Sequence, residues 1–177
     1  MKGSKIASRY ATALLELSIE QNKVEQVLAD MKYLLEVNNE TRDFQLLLDS
    51  PIVKSDKKIA IFEELFGQFE EISTAFVKLI TTNRRENHLP SIADAFDLQV
   101  KEYKGIVPIT IVSAKQLEDS TRRIILEKVE KGVTGQLEVT ELIDDSLIGG
   151  FIVRMGDKQI DASVASQFNE LKQRLTR

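Results

Sequence analysis

Through the first part of the chain, apolar residues recur at steps of three and four, and helix breakers fall only between the periodic runs. That pattern predicts about six helices, approximately Ser4 to Gln21, Lys23 to Asn38, Thr41 to Asp49, Ser55 to Phe66, Glu70 to Asn83 and Pro90 to Lys104. Pro51 and Pro90 sit between helices or at a helix start, where a missing N–H is harmless. Beyond Lys104 the pattern changes. Ile106-Val107-Pro108-Ile109-Thr110-Ile111-Val112 is β-branched and reads as a strand. A helix from about Glu118 to Lys131 follows, with strands at Leu137 to Ile143 and Gly150 to Met155, Phe151 to Met155 being expected to be buried. Gly156-Asp157 suits a tight turn into Lys158-Gln159-Ile160, and a last helix carries Val164, Phe168, Leu171 and Leu175 on one face.

Glycine usage marks the same divide. Between Gly3 and Gly105 only Gly67 occurs, whereas Gly105, Gly132, Gly135, Gly149, Gly150 and Gly156 crowd the shorter remainder. The expected architecture is two domains: an all-α bundle over residues 1–104 and a small mixed α/β domain over 105–177.

The first helix has an unusual distribution. Its polar positions, Lys5, Arg9, Thr12, Glu16 and Glu20, form one narrow stripe, leaving two apolar faces: Ile6, Tyr10, Ala13, Leu14 and Leu17 on one, Ala7, Ala11, Leu15 and Ile19 on the other. Such a helix is either central in its own bundle or lends a side to a partner, and periodicity taken alone favours the central position. The fifth helix behaves similarly, with Ile72, Ala75, Phe76, Leu79 and Ile80 in its main stripe and Val77 widening it.

Composition narrows the chemistry. Lys plus Arg number 24 against 28 Asp plus Glu, a net charge of −4, so no large positive field exists to attract phosphate backbones, and nucleic acid is not an expected partner. The absence of cysteine excludes disulfides, thiolate nucleophiles and Cys-containing metal sites. No stretch approaches the roughly 20 apolar residues of a membrane helix, and the N-terminus lacks the apolar core of a secretory signal.

The single histidine, His88, has no nearby nucleophile and no companion ligand, which points to a surface or capping role. Ser146 in Asp145-Ser146-Leu147-Ile148-Gly149 is not a nucleophile elbow, and an Asp/Ser-rich turn accounts for it. Neither common glycine-rich phosphate loop is present. The acidic pairs Glu63-Glu64, Glu70-Glu71 and Asp144-Asp145 lack calcium-loop spacing, and Arg84-Arg85 next to Glu86 reads as ordinary surface pairing. No catalytic residue, metal or cofactor is expected. An esterase built on Asp145, Ser146 and His88, and an unrelated helical scaffold, stand as competing readings.

Three segments resemble one family. Ala7-Ser8-Arg9-Tyr10-Ala11-Thr12-Ala13-Leu14 is similar to the opening helix of the delta subunits of bacterial and chloroplast F-type ATP synthases, which are related to the mitochondrial oligomycin-sensitivity-conferring protein. Asn83-Arg84-Arg85-Glu86-Asn87-His88-Leu89-Pro90 through Phe96 resembles the end of that family's helical half. Asp145 to Val164 resembles its C-terminal signature almost throughout, departing only beyond it, at Ala165-Ser166-Gln167 and Phe168.

The resemblance implies a non-catalytic stator subunit. Its helical domain would bind N-terminal segments of the alpha subunits, and its C-terminal domain the end of the b subunits. It would sit peripherally, through the complex, on the cytoplasmic face of a bacterial membrane or the stromal side of a thylakoid. The expected alpha-binding groove lies between the first and fifth helices, lined by Tyr10, Ala13, Leu14, Leu17, Ala75, Phe76, Leu79 and Ile80. Within the signature, Gly149, Gly150, Arg154, Gly156, Asp161 and Ser163 are expected either to build the domain or to touch the b subunits, with Asp161 or Ser163 capping the final helix.

Overall fold

A computed structural model describes residues 5–175 apart from Lys131, Thr134 and Asp157. The expected helix start at Ser4, helix end at Lys131 and turn position Asp157 lie outside the described residues, as do the side chains of Leu171 and Leu175. The chain divides into two compact units between Val100 and Lys101.

The first unit is built from α1 (Lys5–Glu20), α2 (Val24–Glu40), α3 (Arg42–Asp49), α4 (Ser55–Leu65), α5 (Glu71–Thr82), a 3-10 turn (Glu86–His88) and α6 (Leu89–Tyr103), whose last turn crosses the unit boundary. Each helix buries one stripe at three- and four-residue spacing: Ala7, Ala11, Leu14 and Ser18 on α1; Val27, Leu28, Met31 and Leu34 on α2; Phe44 and Leu48 on α3. Ser18 is tolerated in this stripe because its hydroxyl donates to the Leu14 carbonyl at 2.6 Å. An aromatic cluster holds the α3–α4 corner. Phe44 meets Phe62 and Phe66 edge-on at 5.8 and 5.7 Å, and Phe66 stacks on Phe69 at 4.6 Å.

One feature of this core carries charge. Lys58 occupies the apolar stripe of α4 with Phe62, is 1% exposed, and sets its Nζ 2.5 Å from Glu86 Oε1 and 3.2 Å from the Leu48 carbonyl oxygen. Glu86 therefore is not the surface partner of Arg84 and Arg85 that its neighbours in sequence suggest. It turns inward to neutralise a lysine that lies on the buried stripe of α4.

The second unit comprises β1 (Ile106–Ser113), α7 (Asp119–Glu130), β2 (Gln136–Ile143), β3 (Gly150–Met155), β4 (Lys158–Ser163) and α8 (Val164–Leu175). Its sheet order is β2-β1-β3-β4, with β1 and β2 parallel through the α7 crossover and the other two pairings antiparallel. Ile109 and Ile111 of β1, Val153 of β3, and Ile125 and Val129 of α7 form its core. Lys101, the first residue of this unit, pairs with Glu138 of β2 at 2.6 Å.

Two expectations need correction here. Phe151 to Met155 is not a buried strand: only Val153 is buried, and Arg154 projects to solvent. The reason is that β3 has just one narrow apolar face to cover, the alternate positions being turned away from the α7-centred core. The run after Gly156 is a full edge strand through Ser163, not a short return, because every residue from Lys158 to Ser163 finds a partner on β3. Pro108 is accommodated inside β1 because β3 pairs with β1 only from Thr110 onward, so Pro108 has a strand on one side alone.

Candidate docking seam and the C-terminal signature

Within the first unit, α1 and α5 run antiparallel, and contacts at both ends fix this. Near the start of α1, the Tyr10 ring meets Phe76 edge-on at 6.4 Å, while Arg85, just past α5, donates from Nη1 to the Tyr10 hydroxyl oxygen at 3.0 Å with its guanidinium 5.8 Å from the ring centre. Beyond the other end of α1, Lys23 Nζ lies 2.6 Å from Glu70 Oε2, immediately before α5.

The eight residues expected to line a groove divide into a floor and two banks. Leu14 and Ile80 are 1% and 0% exposed and belong to the core, as does Phe76. Tyr10 is half-buried against it. Ala13 and Leu17 on α1 and Ala75 and Leu79 on α5 face solvent, with Leu17 at 41% and Leu79 at 53%. Ile6, one turn before Tyr10 on the same apolar face, is also exposed and extends the α1 bank beyond the eight expected residues. These exposed residues and the floor between them make a shallow apolar seam.

This arrangement overturns the central position that periodicity favours for α1. Only the face carrying Ala7 and Ala11 is enclosed, both being fully buried. Their small side chains admit helices of the same unit, and Gln99 of α6 reaches across this side to donate to the Ser8 carbonyl at 3.1 Å. On the other apolar face Leu14 is buried and Tyr10 half-buried, while Ile6, Ala13 and Leu17 have no cover. Arg85 is likewise no ordinary surface arginine, since it is laid over Tyr10; the two are 75 residues apart in sequence, and no local period signals the pairing.

The C-terminal signature resolves into local construction. Gly150 adopts φ +81, and a Cβ there would stand 2.4 Å from the Ala162 carbonyl oxygen on β4, so the strand pair requires glycine. Gly150→Ala is expected to destabilise the second unit by roughly 2 kcal/mol or more, because backbone must move. Thermal unfolding compared with Gly132→Ala, where the nearest atom is 3.6 Å away, checks this. Gly149 accepts the Val164 N–H at 3.0 Å, and Gly156 takes φ +54 at the β3–β4 turn. Arg154 is exposed on β3, opposite Thr110 and Gln159.

Ser163 is the residue that caps α8, its hydroxyl accepting the Ser166 N–H at 3.2 Å, while Asp161 Oδ1 accepts the Ser163 N–H at 2.9 Å. Hydrogen bonding from Ser163 holds the Asp161 carboxyl below its ordinary value of 3.8. With the folded value depressed, the stabilisation is complete above about 3.8 and disappears as pH falls through the lower folded value. An NMR titration is expected to place the Asp161 midpoint below 3.8, and Ser163→Ala to raise it toward that value.

His88 is half-buried in the 3-10 turn, its N–H donating to the Arg85 carbonyl, and Ser146 donates both its hydroxyl and its N–H to Asp144 Oδ1 at 2.6 and 2.9 Å. Those Ser146 bonds, with a lesser contribution from Arg154, also hold the Asp144 carboxyl low. Ser146 is a turn residue in this geometry. Among the described residues no helix is long and apolar enough to cross a membrane.

A helical unit with an exposed apolar seam between α1 and α5, followed by a four-stranded α/β unit, defines a two-unit protein. The profile of the ATP synthase delta (OSCP) subunit family matches residues 6–175, and the chain belongs to that family. It is 33% identical over 172 residues to the ATP synthase subunit delta of Carboxydothermus hydrogenoformans, covering 97% of each chain. It is 36% identical over 172 residues to that of Chlorobium chlorochromatii, covering 96% of each. Its fold is similar to a chain in the cryo-EM structure of the Toxoplasma gondii mitochondrial ATP synthase hexamer, with a TM-score of 0.76 at 24% identity over 98% of this chain and 99% of that one.

Proposed function

We propose that this protein is a non-catalytic stator adaptor of an F-type ATP synthase, gripping the alpha subunits of the catalytic head with its helical unit and the b subunits of the peripheral stalk with its C-terminal unit. Proton flow turns a rotor, and the torque drives ATP chemistry only if the head is held still. A linker of this kind needs two binding surfaces and no reaction chemistry, and linking them raises the effective concentration of each partner at the other.

The observation that carries this reading is the apolar seam between α1 and α5, left open on a member of the delta family. Exposed apolar surface flanked by polar residues is what an amphipathic alpha-subunit helix would cover. The C-terminal unit offers Ile148, Ile160 and Phe168 as exposed apolar residues toward the b subunits, while its glycines and capping serine act as architecture. The site of action is the cytoplasmic face of a bacterial membrane, or the stromal side of a thylakoid, reached through the complex.

Reconstitution tests the reading. Membranes stripped of the cognate delta subunit are expected to regain proton-coupled ATP synthesis when this protein is added back, and the protein to be recovered with alpha and b subunits. Binding without restored coupling, in a matched system, would overturn it.

A further inference from the structure

We infer that the occupant of the α1/α5 seam is an amphipathic helix with segregated charge, carrying carboxylates at the end that meets Arg9 and Arg85 and cations at the end that meets Glu20 and Glu71. The inference rests on the docking reading above and specifies the chemistry of that partner.

The antiparallel pairing brings like charges together at each end of the seam. Arg85 lies over Tyr10, and Arg9 and Lys5 occupy the same end of α1; all three cations are exposed. At the opposite end stand Glu16 and Glu20 of α1 and Glu71 of α5, also exposed. The contact between Lys23 and Glu70 already consumes one charge of each sign there, leaving the acidic excess. Among the described residues no ion pair involves Arg9, Arg85, Glu16, Glu20 or Glu71. Arg85 uses Nη1 on Tyr10, and the guanidinium fork has further N–H donors for a carboxylate.

Distance decides whether the two ends act separately. Eleven residues of helix from Arg9 to Glu20 span about 16 Å at 1.5 Å per residue. Interactions between exposed charges fall off over about 8 Å at physiological salt, so the basic and acidic ends do not cancel, and each is read by the part of the occupant lying on it. A docked helix of about three turns covers both. Apolar contact with Leu17 and Leu79 supplies affinity, and the charge polarity sets register and direction.

The test uses the full chain and two synthetic peptides with the same composition, the same apolar stripe and helicity matched by circular dichroism. One has glutamates in its first turns and lysines in its last; the other alternates them. Fluorescence anisotropy is expected to show the segregated peptide binding about tenfold more tightly at low salt, an advantage that vanishes near 0.5 M salt and in the Arg9→Glu, Arg85→Glu double variant.

Because the chain has no cysteine, Thr82→Cys gives a single attachment point beside the basic end of the seam, and a nitroxide there is expected to broaden NMR signals of the glutamate end of the bound peptide. Equal affinity of the two peptides at low salt, with both still weakened by Leu17→Asp and Leu79→Asp, would overturn the charge inference and leave the seam intact. Binding by neither peptide, or binding indifferent to the leucine variants, would overturn both.

Discussion

Lys58→Met is expected to lower the stability of the helical unit by about 3–5 kcal/mol, the cost of removing one member of a buried ion pair. The side chain that replaces it is apolar and of similar length, so lost volume contributes little. What remains is Glu86, whose Oε1 loses the ammonium at 2.5 Å and whose Oε2 is buried without a hydrogen-bond partner. The Leu48 carbonyl, at the end of α3, loses a donor as well. Removing both charges together reverses the logic, and Lys58→Met with Glu86→Leu is expected to recover most of the loss, because a matched apolar pair leaves no carboxylate stranded. Urea unfolding followed by far-UV circular dichroism measures all three proteins. A single variant as stable as the parent, or a double variant worse than the single one, would refute this account.

The second large effect is on binding. Leu17→Asp combined with Leu79→Asp is expected to weaken capture of an alpha-subunit N-terminal peptide by about a hundredfold or more. Each leucine is about half exposed in the free protein and loses its remaining water contact under a docked helix, contributing on the order of 1.5 kcal/mol, and an aspartate there must also be desolvated. The summed loss of about 3 kcal/mol corresponds to two decades in affinity. Isothermal titration of the peptide into the full chain measures it, and unfolding midpoints within the error of the parent show that the fold is intact. Leu14 and Ile80 are unsuitable for this purpose, since an aspartate at either would sit inside the core and unfold the unit. Unchanged affinity in the double variant would locate the partner elsewhere.

Much of this was legible in the residues, for identifiable reasons. Helices such as α2 and α6 announce themselves because their buried faces repeat at three and four with no glycine inside. The seam was visible in part, because two apolar faces on one helix leave a surplus once one is buried; which face stays open depends on where α6 packs, and no period in α1 records that. The Lys58–Glu86 pair went unread, because Glu86 stands beside Arg84 and Arg85 in sequence while its partner lies 28 residues away on α4. Of the signature's glycines only Gly150 is closely approached by backbone; a Cβ at Gly149 would meet a side chain, and one at Gly156 nothing. Only the β3–β4 register identifies the Ala162 carbonyl as the atom that leaves Gly150 no room.

The sheet order has a consequence for how the chain comes to be folded. The α-helices of the first unit form from neighbouring residues, whereas β1 lies between β2 and β3, strands synthesised after it, the nearer of them only beyond the whole of α7. During synthesis, Ile106 to Val112 therefore emerges as an unmatched apolar strand and waits for its partners behind a completed helical unit. Pro108, at the one stretch of β1 that β3 leaves uncovered, denies a backbone N–H to any foreign strand that would pair there first. Its replacement by valine would leave the native ladder intact on paper while giving nascent chains a route to one another.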